Sequence, residues 1–297
     1  MLVLVDNKVV SNDFCDRILR FNLVALPISI FVSKVSGVGN SAYIYSNQGF
    51  LGFYSSSNEL NCILLIFVYY ALAKYFATNK PKYFVLIIIQ CICAIMIESK
   101  ISMGMSAIAL LILFTKIMKR NKLIINRKFL IFLPVIICSV LFSPISISEI
   151  FDSFISRQNN LRMGYTNILV YFSSGRLARI NEIFSYSFAD ANVFVFLFRL
   201  FFGNGFCNVV DKNYFEMEYL DIFIWCGLLG LAMFFWLTIQ IIKKSYYKQG
   251  RSFVRSLCIF VIFVCTFFSG HVFCGGVAGI YVALTSVCFM KYDLRKE

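Results

Sequence analysis

The sequence predicts an all-α, polytopic helical membrane protein of about eight spans, and three observations carry that prediction. Hydrophobic residues fill 60% of the 297 positions, only 14% are charged, and mean hydropathy is +0.78. A soluble chain of this length could not hide so much apolar surface in one core. Several apolar runs approach or exceed the ~20 residues that cross a bilayer as helix, the local structure that satisfies every backbone group without water. These runs do not alternate apolar and polar residues, so strands of a membrane β-barrel are disfavoured.

Taken in order, the spans fall at about Ile18–Val35, Glu59–Phe76, Tyr83–Ile97, Ile101–Met118, Phe129–Ile147, Tyr219–Ile242, Phe253–Phe268 and Val272–Met290. The first is the weakest, because Asn22, Pro27 and Lys34 interrupt it. Residues 1–297 read as a single transmembrane domain with one large loop at residues 149–217, and no internal repeat is evident. Met1–Val5 is too short for a cleavable signal peptide and is followed at once by Asp6, Asn7 and Lys8.

Basic residues set the orientation. Lys74, Lys80 and Lys82 lie between spans two and three, and Lys116, Lys119, Arg120, Lys122, Arg127 and Lys128 between four and five. Lys243, Lys244, Lys248, Arg251 and Arg255 lie between six and seven, and Lys291, Arg295 and Lys296 follow the eighth. With eight spans all four groups share one side, which the positive-inside rule makes cytoplasmic, with both termini inside and the long loop outside. The net charge of +13 therefore reads as cytoplasmic loops and not as a nucleic-acid surface. Eleven cysteines, eight of them inside apolar runs, lack zinc-site spacing and read as small buried hydrophobes.

The interruption from Glu149 to about Asp221 is where water-soluble chemistry has room. Its 149–217 portion holds six basic and six acidic residues, including Arg157, Arg162, Arg176, Arg179 and Arg199. Leu177, Ile180, Phe184 and Phe188 recur at helical spacing, which predicts an amphipathic helix lying in the membrane interface. Val193–Phe202 is apolar but too short to span and reads as re-entrant or interfacial, ended by the turn Gly203-Asn-Gly205.

Each candidate site residue has a functional and a plain reading. Arginine suits bidentate recognition of phosphate, so the loop arginines can hold a pyrophosphate; equally, they can snorkel to headgroups or pair with the loop's own acids. Glu218 and Asp221, three apart at the hydrocarbon boundary of span six, either hold those arginines or contact sugar hydroxyls. His271, the single histidine, sits at the external turn between spans seven and eight, as a general base or an ordinary interfacial residue. Lys100 occupies the short external turn before span four, where an exposed turn residue is also expected. Gly275-Gly276-Val-Ala-Gly279 reads as close helix packing. The absence of a Walker-type loop, a metal constellation or a serine-hydrolase elbow disfavours a nucleotide-driven pump and a metalloprotease.

Six short motifs, in order around the external loop, together resemble the O-antigen polymerase and O-antigen ligase superfamily of bacterial inner-membrane glycosyltransferases. Gly52-Phe-Tyr-Ser-Ser-Ser-Asn58-Glu59-Leu60 looks like the glycine-to-Asn-Glu-Leu start of a span in that family, and Ser99-Lys100-Ile-Ser102 like its Ser-Arg turn with lysine replacing arginine. Ser174-Gly175-Arg176 resembles the Ser-Gly-Arg of the large periplasmic loop, and Phe202-Gly-Asn-Gly205 its Gly-x-Gly. Glu218-Tyr-Leu-Asp221 followed by Gly227 is similar to the start of the next span, and Gly270-His271 to the Gly-His near the C-terminal end. The match runs from about Gly49 onward; since members of the family have more spans, the resemblance implies a chain short at its N-terminal end, and Met-Leu-Val-Leu-Val suits the tail of a span begun upstream.

The resemblance implies a GT-C-like fold and an inner-membrane polymerase joining undecaprenyl-diphosphate-linked oligosaccharide repeat units at the periplasmic face, with no cofactor and no metal. Its implied partners are the lipid-linked oligosaccharide, membrane lipid and a chain-length regulator protein, with no nucleic acid. The implied catalytic residues are His271, Arg176, Glu218 and Asp221, and Lys100, Arg157, Arg162 and Arg179 would bind pyrophosphate or glycan. A ligase of the same superfamily, acting on lipid A–core, is the nearest alternative. A transporter or flippase for the lipid-linked sugar, which would line several spans with charge, is the alternative from another class.

Overall fold

Fifteen consecutive residues of one helix, Leu60 to Lys74, are buried on every side, and the rest of the helical assembly is arranged around them. A helix apolar all round, with no amphipathic stripe, belongs in the middle of a bundle or in lipid, and here neighbouring helices cover it. The computed structural model describes residues 11–43, 48–119, 176–189, 191–205, 217–247, 256–260, 262–264 and 277–291, with isolated positions between 152 and 170. The fifth predicted span, Phe129–Ile147, lies outside these residues.

The elements follow in chain order. α1 is Asn12–Ser36, β1 is Asn40–Tyr43, β2 is Gln48–Gly52, α2 is Ser57–Thr78, α3 is Pro81–Met96 and α4 is Lys100–Lys119. A 3₁₀ turn at Arg176–Arg179 leads into α5, Ile180–Phe188; then come α6, Val193–Phe202, α7, Glu218–Tyr247, and α8, Ala278–Lys291. Among the described residues, α1, α2 and α7 are long and apolar enough to cross a membrane, and α3, α4, α6 and α8 are shorter apolar helices. The polytopic all-α expectation holds. Nothing in the apolar pattern signalled the small antiparallel hairpin β1–β2, in which Ser41 pairs with Phe50 and Tyr43 with Gln48.

Helix boundaries follow ordinary capping chemistry. Ser11 Oγ accepts from Phe14 N at 3.1 Å to start α1, which ends at Gly37 in the left-handed region. Ser56 and Glu59 have capping-box spacing at the start of α2, with Ser56 Oγ accepting from Glu59 N at 3.4 Å, and Asn79 closes it at φ 56°. Pro81 opens α3 at its first turn, where the missing N–H costs nothing.

α2 touches several neighbours through distinct groups. Tyr69 donates to Met105 O of α4 at 2.9 Å, and Cys258 Sγ donates to Tyr69 O at 3.2 Å. Phe67 meets Tyr281 of α8 edge-on at 5.2 Å between ring centroids. Toward α1 the contacts are ionic: Lys74 Nζ lies 3.0 Å from Asp16 Oδ1 and donates to Oδ2 at 3.1 Å, while Tyr70 donates to Oδ1 at 2.6 Å. Arg20 Nε stands 2.9 Å from Asp16 Oδ2 as a charge contact, not an aligned hydrogen bond. Lys74 and Asp16 are both fully buried, which corrects the placement of Lys74 in a cytoplasmic loop. Lys80 and Lys82 lie beyond the end of α2.

The weak first span is a continuous 25-residue helix because its proline has a partner. Pro27 has no N–H to offer the carbonyl four residues back, that of Leu23. Gln90 Nε2 of α3 donates to that oxygen at 2.6 Å. The buried amide replaces the missing backbone donor, and α1 passes through its proline intact.

Two stability measurements in detergent check this account. Gln90→Leu strands the Leu23 carbonyl and is expected to cost about 1–3 kcal/mol; in a Pro27→Ala background, where the backbone donor is restored, that cost should largely vanish. Lys74→Met or Asp16→Asn leaves a buried partner uncompensated, at an expected cost of about 3–5 kcal/mol, whereas Asp16→Leu with Lys74→Met should be markedly milder than either single change.

Candidate functional site

The arginine turn and the acid pair meet through one small apolar cluster. Ile183, Met217, Ile224 and Trp225 are buried together, with Leu177, Ile180, Phe184, Phe188, Leu220 and Phe223 packed around them. The stripe Leu177, Ile180, Phe184 and Phe188 is thus a helical face, as its spacing required, but it lies against α7. Phe184 stacks on Phe188 at 5.9 Å and meets Phe223 of α7 in a tilted pair at 5.8 Å.

Arg176 and Arg179 begin and end the 3₁₀ turn that precedes α5. Residues three apart eclipse one another in a 3₁₀ turn, so both side chains leave on one side. Leu177 between them is pinned in the cluster, and both arginines are partly buried. Two planar cations on one side of a tethered turn can grip a diphosphate.

Glu218 and Asp221 open α7 and are each 1% exposed. Asp221 Oδ2 accepts from Met217 N at 3.1 Å, reaching back to the residue before the helix, while Asp221 N bonds Met217 O at 3.0 Å. Asp221 is therefore a helix-capping carboxylate. Both acids also sit in a first turn, where the helix dipole favours negative charge.

α7 is not the straight span expected for Tyr219–Ile242. Gly227 has φ 66° and ψ −168°, breaking the helix into residues 218–226 and 228–247. In a straight helix Tyr219 and Phe235 would stand about 24 Å apart. Their rings instead stack at 5.0 Å, and Tyr219 meets Phe234 edge-on at 5.2 Å. The first segment folds back along the second, so the acid pair lies beside residues 234–235 and not at the tip of a span.

The break is built from glycine on both sides. A Cβ on Gly227 would collide with the backbone of Phe201 and Phe202, and one on Gly203 with that of Trp225 and Cys226. Breaking the helix frees the carbonyls of Ile224 and Trp225; Asn204 N and Gly205 N take them at 2.7 and 3.0 Å. The Gly-Asn-Gly turn and the glycine after the acidic run, 22 residues apart, are thus two halves of one junction.

Lys100 stands elsewhere, in the first turn of α4, where Ser102 N donates to Ser99 Oγ at 3.0 Å. A cation at a helix N-terminus works against the dipole. Glu98, two residues earlier, has φ 58° and is 6% exposed; a non-glycine residue in that conformation is unusual, and only the backbone reveals it. Arg157, Arg162 and His271 lie outside the described residues. No cluster of metal-ligating residues occurs among the described residues.

A family model described as O-antigen ligase like membrane protein matches residues 1–162, more than half of the chain. The match includes Lys100, Arg157 and Arg162 and ends before Arg176, Arg179, Glu218, Asp221 and His271. No characterised protein and no solved structure matches the chain.

The glycine junction sets up a graded test by thermal unfolding in detergent. Gly203→Ala and Gly227→Ala introduce both a backbone clash and a positive-φ penalty, and each is expected to prevent the junction from closing. Gly205→Ala, with φ 73° but open space around the added carbon, should cost only about 1–2 kcal/mol.

Proposed function

The chain belongs to the O-antigen ligase-like membrane protein family, and from that premise we propose a surface-polysaccharide polymerase. It joins undecaprenyl-diphosphate-linked repeat units at the periplasmic face of the bacterial inner membrane. The observation that carries this reading is the arginine turn, Arg176 and Arg179 on one side of a 3₁₀ turn held to the acid pair by the Leu177–Trp225 cluster.

In the proposed reaction a hydroxyl of the acceptor sugar attacks the anomeric carbon of the donor. The bond from that carbon to the diphosphate oxygen breaks, and lipid diphosphate leaves with the electron pair. Arg176 and Arg179 neutralise the charge growing on the diphosphate, with Arg157, Arg162 and Lys100 as further binding residues. The hydroxyl proton passes to His271 or to Glu218. Asp221 holds the start of the helix that carries Glu218, since its carboxylate already caps that helix. The activated donor supplies the free energy, so the scheme uses neither nucleotide nor metal. A chain-length regulator is the protein partner this reaction would take.

A ligase acting on lipid A–core shares all of this chemistry except the acceptor. The transporter reading calls for charge distributed along a path through several spans. Among the described residues Asp16, Arg20 and Lys74 put charge between α1 and α2, where both cations meet the one carboxylate; such a cluster reads as a lock between two helices.

Electrophoretic ladders of surface polysaccharide test the assignment. Arg176→Ala is expected to cut polymer formation at least roughly a hundredfold, in line with loss of one transition-state donor, while the protein stays in the membrane. Normal long-chain polysaccharide in that variant would overturn the site. Deleting the gene should leave a single repeat unit on the core, whereas a bare core would make the chain a ligase.

A further inference from the structure

Helix α6 is almost wholly apolar, and it buries none of its residues. Nine of its ten residues are Val, Phe or Leu, and none is buried. Phe194 is 84% exposed and Phe198 61%. A helix resting on a membrane surface needs a polar face to turn toward water, and α6 has only Arg199. The guanidinium is already engaged, with Nη1 donating to Ser187 O at 3.1 Å.

Length excludes the opposite extreme. Ten residues make about 15 Å of helix, half of the ~30 Å hydrocarbon thickness. The flanks also return to one place: Asn204 Nδ2, just past the end of α6, donates at 3.3 Å to the same Ser187 O, at the end of α5. Polar residues bracket the run, Asn192 capping its start through Val195 N at 2.9 Å and Asn204 following its end. At the C-terminal end the amides of Gly203, Asn204 and Gly205 all find carbonyl partners, as irregular chain at membrane depth requires.

The exposed surface continues across that junction. Phe201 and Phe202 of α6 abut Gly227, and the exposed apolar residues of α7 begin at once with Leu228 and Leu229 and run on through Met233 and Trp236. α6 and the 228–247 segment share one apolar belt.

We propose that α6 is embedded in the acyl chains of the bilayer without crossing it, as a hydrocarbon anchor for the external loop. Its occupant is bilayer lipid. Because α5 is tied to α6 through Ser187 and through the Phe188–Phe196 contact at 5.3 Å, the anchor also fixes how far the arginine turn stands from the membrane. The inference is independent of the glycosyl-transfer reading, since its test reads depth and not activity.

Trp225 and Trp236 are the two tryptophans, so Trp225→Phe with Trp236→Phe leaves a dark background for a single reporter. Phe198→Trp and Phe194→Trp, each in that background, are reconstituted as the full chain into phosphatidylcholine vesicles with brominated acyl chains. Loss of emission under acyl bromine, with no loss under aqueous iodide, is expected at both positions. Quenching by iodide instead would place α6 in water, and quenching by neither would mean that protein covers it. Either outcome overturns the anchor. Using two positions guards against one reporter disturbing its own site, and the most exposed one, Phe194, is the arbiter.

Discussion

A lysine cannot be left alone inside a bundle of apolar helices, and the pairing of Lys74 with Asp16 is the constraint from which the larger cluster is arranged. α2 is buried around its whole circumference up to and including Lys74, so the ammonium must find an anion within the protein. Asp16 supplies it from α1, steadied by Tyr70 and Arg20. That contact sets the register of α1 against α2. Two turns further along α1, about 10 Å, the same register presents the Leu23 carbonyl to Gln90. Lipid tails are as apolar as leucine, so hydrophobicity alone gives such helices little reason to choose one register over another. Polar contacts make that choice here.

The smaller assembly of α5, α6 and α7 follows a second rule, close approach of backbone to backbone. Gly203 and Gly227 let the end of α6 and the break in α7 come together at distances no side chain tolerates, and the amides of Asn204 and Gly205 replace the bonds lost by the break. Folding α7 back has two consequences. The acid pair moves from the end of a span to its flank, and the cluster around Trp225 becomes available to hold α5 and the arginine turn. Stability and the geometry of the candidate site therefore rest on the same two glycines, whose role is conformational and not chemical.

Much of this was legible in the chain itself, for a physical reason. A bilayer imposes a composition rule on each segment separately, so Ser57–Thr78 and Pro81–Met96 declare themselves without knowledge of their neighbours. The Leu177–Phe188 stripe is likewise a local periodicity, and it marked a true helical face. Lys74 reads in the sequence like Lys80 and Lys82, and its carboxylate partner stands 58 residues away, which no local pattern encodes. Asp221 reads like any boundary acid until its bond to Met217 N is seen.

The sequence by itself determined the class of fold and most helix positions, because these depend on composition and short-range spacing. Tertiary structure alone decided that Pro27 is accommodated, that Lys74 is a buried partner, that α7 folds at Gly227 and that α6 buries none of its residues. Each of those outcomes depends on what stands opposite a residue in space. A glycine in an apolar run looks the same whether it packs against a side chain or, as Gly227 does, lets another backbone through.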